Sequence, residues 1–184
     1  MAVKTFTTGE VLTASDTNTY LANSGLVYIS SVNVSGTPSS IAGPANCFSS
    51  TYDHYKIVIS NLTVSTSTQL RMTLGSVVTG YYYGNPLTTF LGGAYEKNNG
   101  SNLAYLDLGA VTSTFDNDFN FEVMAPNKAT RTKFSGFGYM NSVAFGGVGS
   151  GFVDTNTVFT SFTLALAAGT MSAGTVAVYG YRKA

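Results

Sequence analysis

From Leu26 onward the chain is a succession of short apolar or alternating runs, each bounded by Gly, Pro, Asn or Ser. That is the pattern of strands joined by tight turns. Nine such runs stand out, at residues 26–34, 55–62, 69–74, 81–83, 103–111, 119–124, 132–140, 158–166 and 175–181. Alternation is clearest in Gln69-Leu70-Arg71-Met72-Thr73-Leu74, where successive side chains point to opposite faces. Leu70, Met72 and Leu74 therefore share a core face, and the three polar residues face water. In 158–166 the even positions Val158, Phe162, Leu164 and Leu166 are bulky, while Phe159, Ser161, Thr163 and Ala165 lie on the other side. That smaller side could lie against a second sheet or another subunit. Nine short strands with no helical pattern between them predict an all-β, antiparallel two-sheet sandwich, with the jelly roll as the commonest solution at this strand number.

Before Leu26 the pattern is different. Thr13-Ala14-Ser15-Asp16 has capping-box spacing and Asn23-Ser24-Gly25 supplies a stop, which predicts one short helix over 14–23. Ten residues make about 15 Å of helix, less than an isolated helix needs to persist in water, so it requires a docking surface. The residues before it carry a few spaced apolar side chains and no core of their own. This arm either reaches a neighbouring subunit or folds back on its own domain. The chain is accordingly divided into an arm, 1–25, and a β-domain, 26–184.

Composition sharpens the picture. Charged residues are 10% of the chain against 44% apolar, where about a quarter charged is usual for a soluble domain. Ser, Thr, Asn and 20 glycines fill the polar share, and these favour turns and strands over helices. Nine basic residues balance nine acidic ones, so no field gathers phosphates and nucleic acid is excluded as a partner. Cys47 is the only cysteine, which removes internal disulfides, cysteine-cluster metal sites and two-cysteine redox motifs. Residues 1–10 hold no signal-peptide pattern, and no stretch reaches the roughly 18 apolar residues of a membrane span.

Candidate chemistry is sparse. His54 is the only histidine; adjacent Asp53 and His54 project in different directions and cannot alone form a triad, and no G-x-S-x-G elbow is present. Asp116, Asp118, Asn120 and Glu122 alternate along one face of a strand, an oxygen-rich stripe that a calcium ion could use. The calcium-loop glycine and distal glutamate are missing, however. Arg131 and Lys133, returning after the Pro126-Asn127 turn, are the expected cross-strand partners of the stripe. Glycoside hydrolysis would need a second carboxylate at a defined separation in a cleft, which the sequence does not indicate. Gly146-Gly147-Val148-Gly149-Ser150-Gly151 lacks dinucleotide or phosphate-loop spacing and reads as a surface loop or hairpin tip. No catalytic residue, metal or cofactor is assigned. Tyr81, Tyr82 and Tyr83, with Asn85 close by, suit stacking on a sugar or anchoring a protein contact, and they equally suit core or subunit packing.

The opening Phe6-Thr7-Thr8-Gly9-Glu10-Val11-Leu12-Thr13-Ala14-Ser15-Asp16, continuing through Asn18-Thr19-Tyr20-Leu21, resembles a phrase that opens many bacteriophage minor tail and fibre proteins. The stretches from Phe48 to Ser60, Leu74-Gly75-Ser76, Thr79-Gly80-Tyr81-Tyr82 and Gly174-Thr175-Val176-Ala177-Val178-Tyr179-Gly180-Tyr181-Arg182 resemble a domain frequent in structural proteins of marine and cyanobacterial phages. The resemblance implies a non-enzymatic virion subunit in contact with other virion proteins, assembled as a homotrimer. On that footing Phe6, Val11, Leu12, Tyr20 and Leu21 are the expected particle-attachment residues. A tail-fibre or tail-tip protein facing host surface polysaccharide is the first expectation. A capsid decoration or head-fibre protein is the second, and a polysaccharide depolymerase the third.

Overall fold

The computed structural model describes residues 7–11, 13–16, 25–89, 95–140 and 145–183. A three-residue helix, α1 (Ala14–Asp16), precedes twelve strands: β1 (Leu26–Asn33), β2 (Ser40–Ala42), β3 (His54–Val64), β4 (Thr68–Leu74), β5 (Tyr81–Thr89), β6 (Tyr95–Leu103), β7 (Leu106–Val111), β8 (Asn117–Met124), β9 (Thr132–Met140), β10 (Phe145–Val153), β11 (Phe162–Leu166) and β12 (Met171–Tyr181). They form an all-β, two-sheet structure with every pairing antiparallel. The large sheet runs β1-β12-β3-β8-β9-β10-β5-β6 and the small one β2-β11-β4-β7. Among the described residues no helix is long and apolar enough to cross a membrane.

The core lies between the sheets and follows from alternation. On the small sheet Leu70, Met72 and Leu74 of β4 meet Phe162, Leu164 and Leu166 of β11. The large sheet answers with Ile57 and Ile59 of β3, Phe119, Phe121 and Val123 of β8, and Val176 and Val178 of β12. Each such side chain fully removed from water contributes roughly 1.5–3 kcal/mol. In β3 the buried positions change from odd to even after Ile59, so that Leu62 and Val64 point inward. The cause is a register shift at Asn61, whose φ of 55° places it in the left-handed region. Its N–H donates to Asp118 Oδ1 at 2.8 Å, which occupies the exposed backbone donor.

Eight of the strands pass back and forth between the sheets: β1-β12-β3-β8 in one, β2-β11-β4-β7 in the other. The remaining four are two hairpins. β5–β6 is inserted between β4 and β7, and β9–β10 between β8 and β11, yet both join the large sheet beyond β8. There β10 pairs with β9 on one side and β5 on the other, so two insertions distant in sequence complete each other.

Several expectations need correction. The glycine run 146–151 is neither loop nor hairpin tip: it lies within β10, between two strands. A Cβ at Gly149 would overlap the carboxamide oxygen of Asn85, and one at Gly136, its partner on β9, would overlap Phe121. The glycines let the inserted strands close over the core. Val158 is 49% exposed and Phe159 buried, because β11 begins only at Phe162 and the residues before it are a loop. β5 continues through Pro86 to Thr89, and β2 and β6 were not anticipated. The helix expected over 14–23 is seen at Ala14–Asp16, with residues 17–23 outside the described residues. Its capping box is formed, Thr13 N donating to Asp16 Oδ2 at 3.1 Å and Asp16 N to Thr13 Oγ1 at 3.1 Å.

Candidate functional site

Tyr82 on β5 and Phe152 on β10 stand directly opposite each other in register. Their chain neighbours Tyr81 and Val153 are completely buried, so alternation sends Tyr82 and Phe152 to the outer face of the large sheet. The two rings stack with centroids 4.9 Å apart and planes 10° from parallel. Register carries the row across the sheet, from Phe152 to Lys133 on β9, Met124 on β8 and His54 on β3. The next row holds Ser135, Ser150 and Gly84.

Tyr82, Phe152, Lys133 and Met124, with Ser135, Ser150 and Gly84, line a concavity of about 590 Å³ on the outer face, within the range of small-ligand sites. Arg131 closes one side, its guanidinium 5.3 Å from the Phe152 ring centroid and its Nε 2.7 Å from Asp154 Oδ1. A Cβ built on Gly84 would meet nothing within 4 Å, so the floor there is open. Arg131 and Lys133 give the lining two cations; Asp154, beyond it, answers the first.

The four residues expected to contact ligand divide by strand parity. Tyr82 lines the groove. Tyr81 is buried, its hydroxyl accepting from Leu74 N at 2.7 Å, with its pKa pushed up by burial. Tyr83 is half-buried against the core and also borders the groove, and burial with nearby Asp107 and Tyr105 raises its phenol to about 12. Asn85 is buried and donates to Asp107 O at 2.7 Å. Asp107 in turn accepts from Gly109 N and Asn98 Nδ2, so Asn85 belongs to a polar network between β5, β6 and β7. Of the expected attachment residues, Val11 is 79% exposed; Phe6, Leu12, Tyr20 and Leu21 lie outside the described residues.

No family model, curated protein or solved structure matches this chain. The site is therefore read from its own chemistry.

The acidic stripe is engaged locally. Asp116 accepts from Thr63 Oγ1, Asp118 from Asn61 N, and Glu122 from the Tyr181 hydroxyl. The last contact, followed by burial, raises Tyr181 to about 12. Arg131 pairs with Asp154 instead of with the stripe, because β9 starts at Thr132 and Arg131 precedes the ladder. Among the described residues no three of His, Cys, Asp and Glu gather to hold a metal. His54 is exposed at the start of β3. Its neighbour Asp53 is gripped by Lys128 at 2.8 Å and Lys183 at 2.9 Å, which hold its carboxyl below the usual range. Arg131 and Lys133, expected from the sequence only as ion-pair partners, line the groove, and so does Phe152, which was not expected there. The available signal was Lys133 alternating with buried Thr132 and Phe134, and Phe152 beside inward Val153.

Proposed function

We propose that this chain is a non-enzymatic structural subunit of a bacteriophage particle, a tail-fibre or tail-tip protein. Its N-terminal arm attaches it to other virion proteins, and its β-domain faces the host surface. The observation that carries this reading is the strand order. With the two inserted hairpins set aside, the order β1-β12-β3-β8 over β2-β11-β4-β7 is consistent with a jelly roll, an architecture recurrent in viral capsid and lectin domains. Fold alone does not determine function. Two further features support the reading: both hairpins widen the large sheet beyond β8, and the outer face of the widened part carries the Tyr82–Phe152 groove. The subunit assembles as a homotrimer, consistent with a chain so short of charge.

Cryo-electron microscopy of purified particles tests the placement. Density for this chain at the tail, in a small number of threefold copies, supports the fibre reading. Many copies over the shell would make it a capsid decoration protein, and absence from particles would overturn the virion reading altogether.

A further inference from the structure

We propose that the groove over Tyr82 and Phe152 binds an acidic polysaccharide, a chain of sugar rings bearing carboxylates. This names the ligand class of the surface described above and rests on the reading of the chain as a host-facing subunit.

The groove has two kinds of recognition element side by side. Tyr82 and Phe152 stack face on face with Arg131 over the far side of Phe152, which leaves the outer edges of the pair and the free face of Tyr82 as the apolar surface for the C–H face of a pyranose. Each is flanked in its strand by a fully buried residue, Tyr81 or Val153, so alternation holds both side chains on the outer face. Ser135 and Ser150 supply hydroxyls for sugar oxygens, and the open floor at Gly84 admits a ring as broad as a pyranose.

Charge selects the acidic class. The chain is neutral overall, yet among the described residues the ionisable side chains lining the groove, besides tyrosine, are Arg131 and Lys133. Asp154 answers Arg131 through Nε. Lys133 is exposed, its register neighbours are Met124 and Phe152, and it makes no ion pair among the described residues. A carboxylate carried on a sugar lying along the outer edge of the Tyr82–Phe152 pair comes within reach of that ammonium, which stands in register with Phe152, whereas a neutral sugar leaves it without a counter-charge.

The full-length chain is titrated calorimetrically with a short oligogalacturonate, a neutral galactan oligosaccharide of equal length, and poly-glutamate. Oligogalacturonate binds, and the galactan binds at least about tenfold more weakly. Lys133→Gln weakens oligogalacturonate binding by about threefold or more, Tyr82→Ala by about tenfold, and Tyr28→Ala, on the same sheet outside the groove, leaves it unchanged. Because Lys133 is exposed, that variant tests the site even if Tyr82→Ala perturbs folding. Absence of oligogalacturonate binding, equal affinity for the galactan, equal affinity for poly-glutamate, or indifference to Lys133→Gln would each overturn the proposal. Its failure is distinguishable from that of the virion reading: a particle-borne protein that ignores acidic sugars loses only the ligand. A sugar-binding protein absent from particles loses only the setting.

Discussion

The hydroxyl of Tyr81 accepts a hydrogen bond from the backbone N–H of Leu74 at 2.7 Å, inside the core. This contact ties the first strand of the inserted β5–β6 hairpin to the end of β4 in the opposite sheet. Tyr81→Phe keeps the ring and leaves a buried N–H without its acceptor. Urea denaturation is expected to show a loss of about 1–3 kcal/mol. A change smaller than the error of the measurement would mean that the hairpin is held by ring packing alone.

Gly149 and Gly84 make a matched pair of tests. Gly149→Ala drives a methyl into Asn85, whose amide is already committed to Asp107 O, and is expected to cost about 1–3 kcal/mol in thermal or chemical unfolding. Gly84→Ala points into open space and stays within about 0.5 kcal/mol of the parent. Equal effects would show that β10 is not packed as tightly as its glycines require.

Asp53 gives the fold an acid-sensitive clamp. Its carboxyl is held below 3.8, first by the hydrogen bonds from Lys128 and Lys183. A depressed folded pKa means that the contribution is present above the unfolded value and lost as pH falls through the folded one. Melting temperature is therefore expected to fall below pH 3.8 in the parent, and less steeply in Asp53→Asn; added salt narrows the difference. Identical slopes would remove Asp53 from the acid response.

Cys47 is buried, and desolvation pushes its thiol up to about 11. The thiolate is the reactive form, so a disulfide reagent at pH 8 is expected to label native protein only at the rate of unfolding, and denatured protein at once. Rapid labelling of the native chain would place Cys47 nearer the surface than the fold allows.

Much of the sandwich was legible because one period dominates it. Gln69 to Leu74 alternates in sequence and buries Leu70, Met72 and Leu74 as alternation requires. β9 spans Thr132–Met140, the run expected, and Thr13 with Asp16 forms the foreseen cap. Where alternation is absent the strands were missed. β10 is rich in glycine because its neighbours leave no space for side chains, so its pattern is indistinguishable from a loop until Asn85 and β9 are in place. β6, the outermost strand of the large sheet, pairs with β5 and carries the polar stretch Glu96 to Asn99. The groove was legible in part: the tyrosine triplet drew attention, but which of the three faces outward depends on Tyr81 reaching Leu74. Phe152 joins Tyr82 only through the pairing of two hairpins that the sequence separates.

The most direct test of the account is incorporation into particles by the full chain and by a chain that begins at Gly25, whose carbonyl accepts from Arg182 N at 3.1 Å and so closes the β-domain. Circular dichroism checks that both are folded, and quantitative blotting of purified particles reads incorporation. The shortened chain is expected to fold as a β-protein and to be absent from particles that carry the full chain. Normal incorporation of the shortened chain, or absence of the full chain from particles, would contradict it.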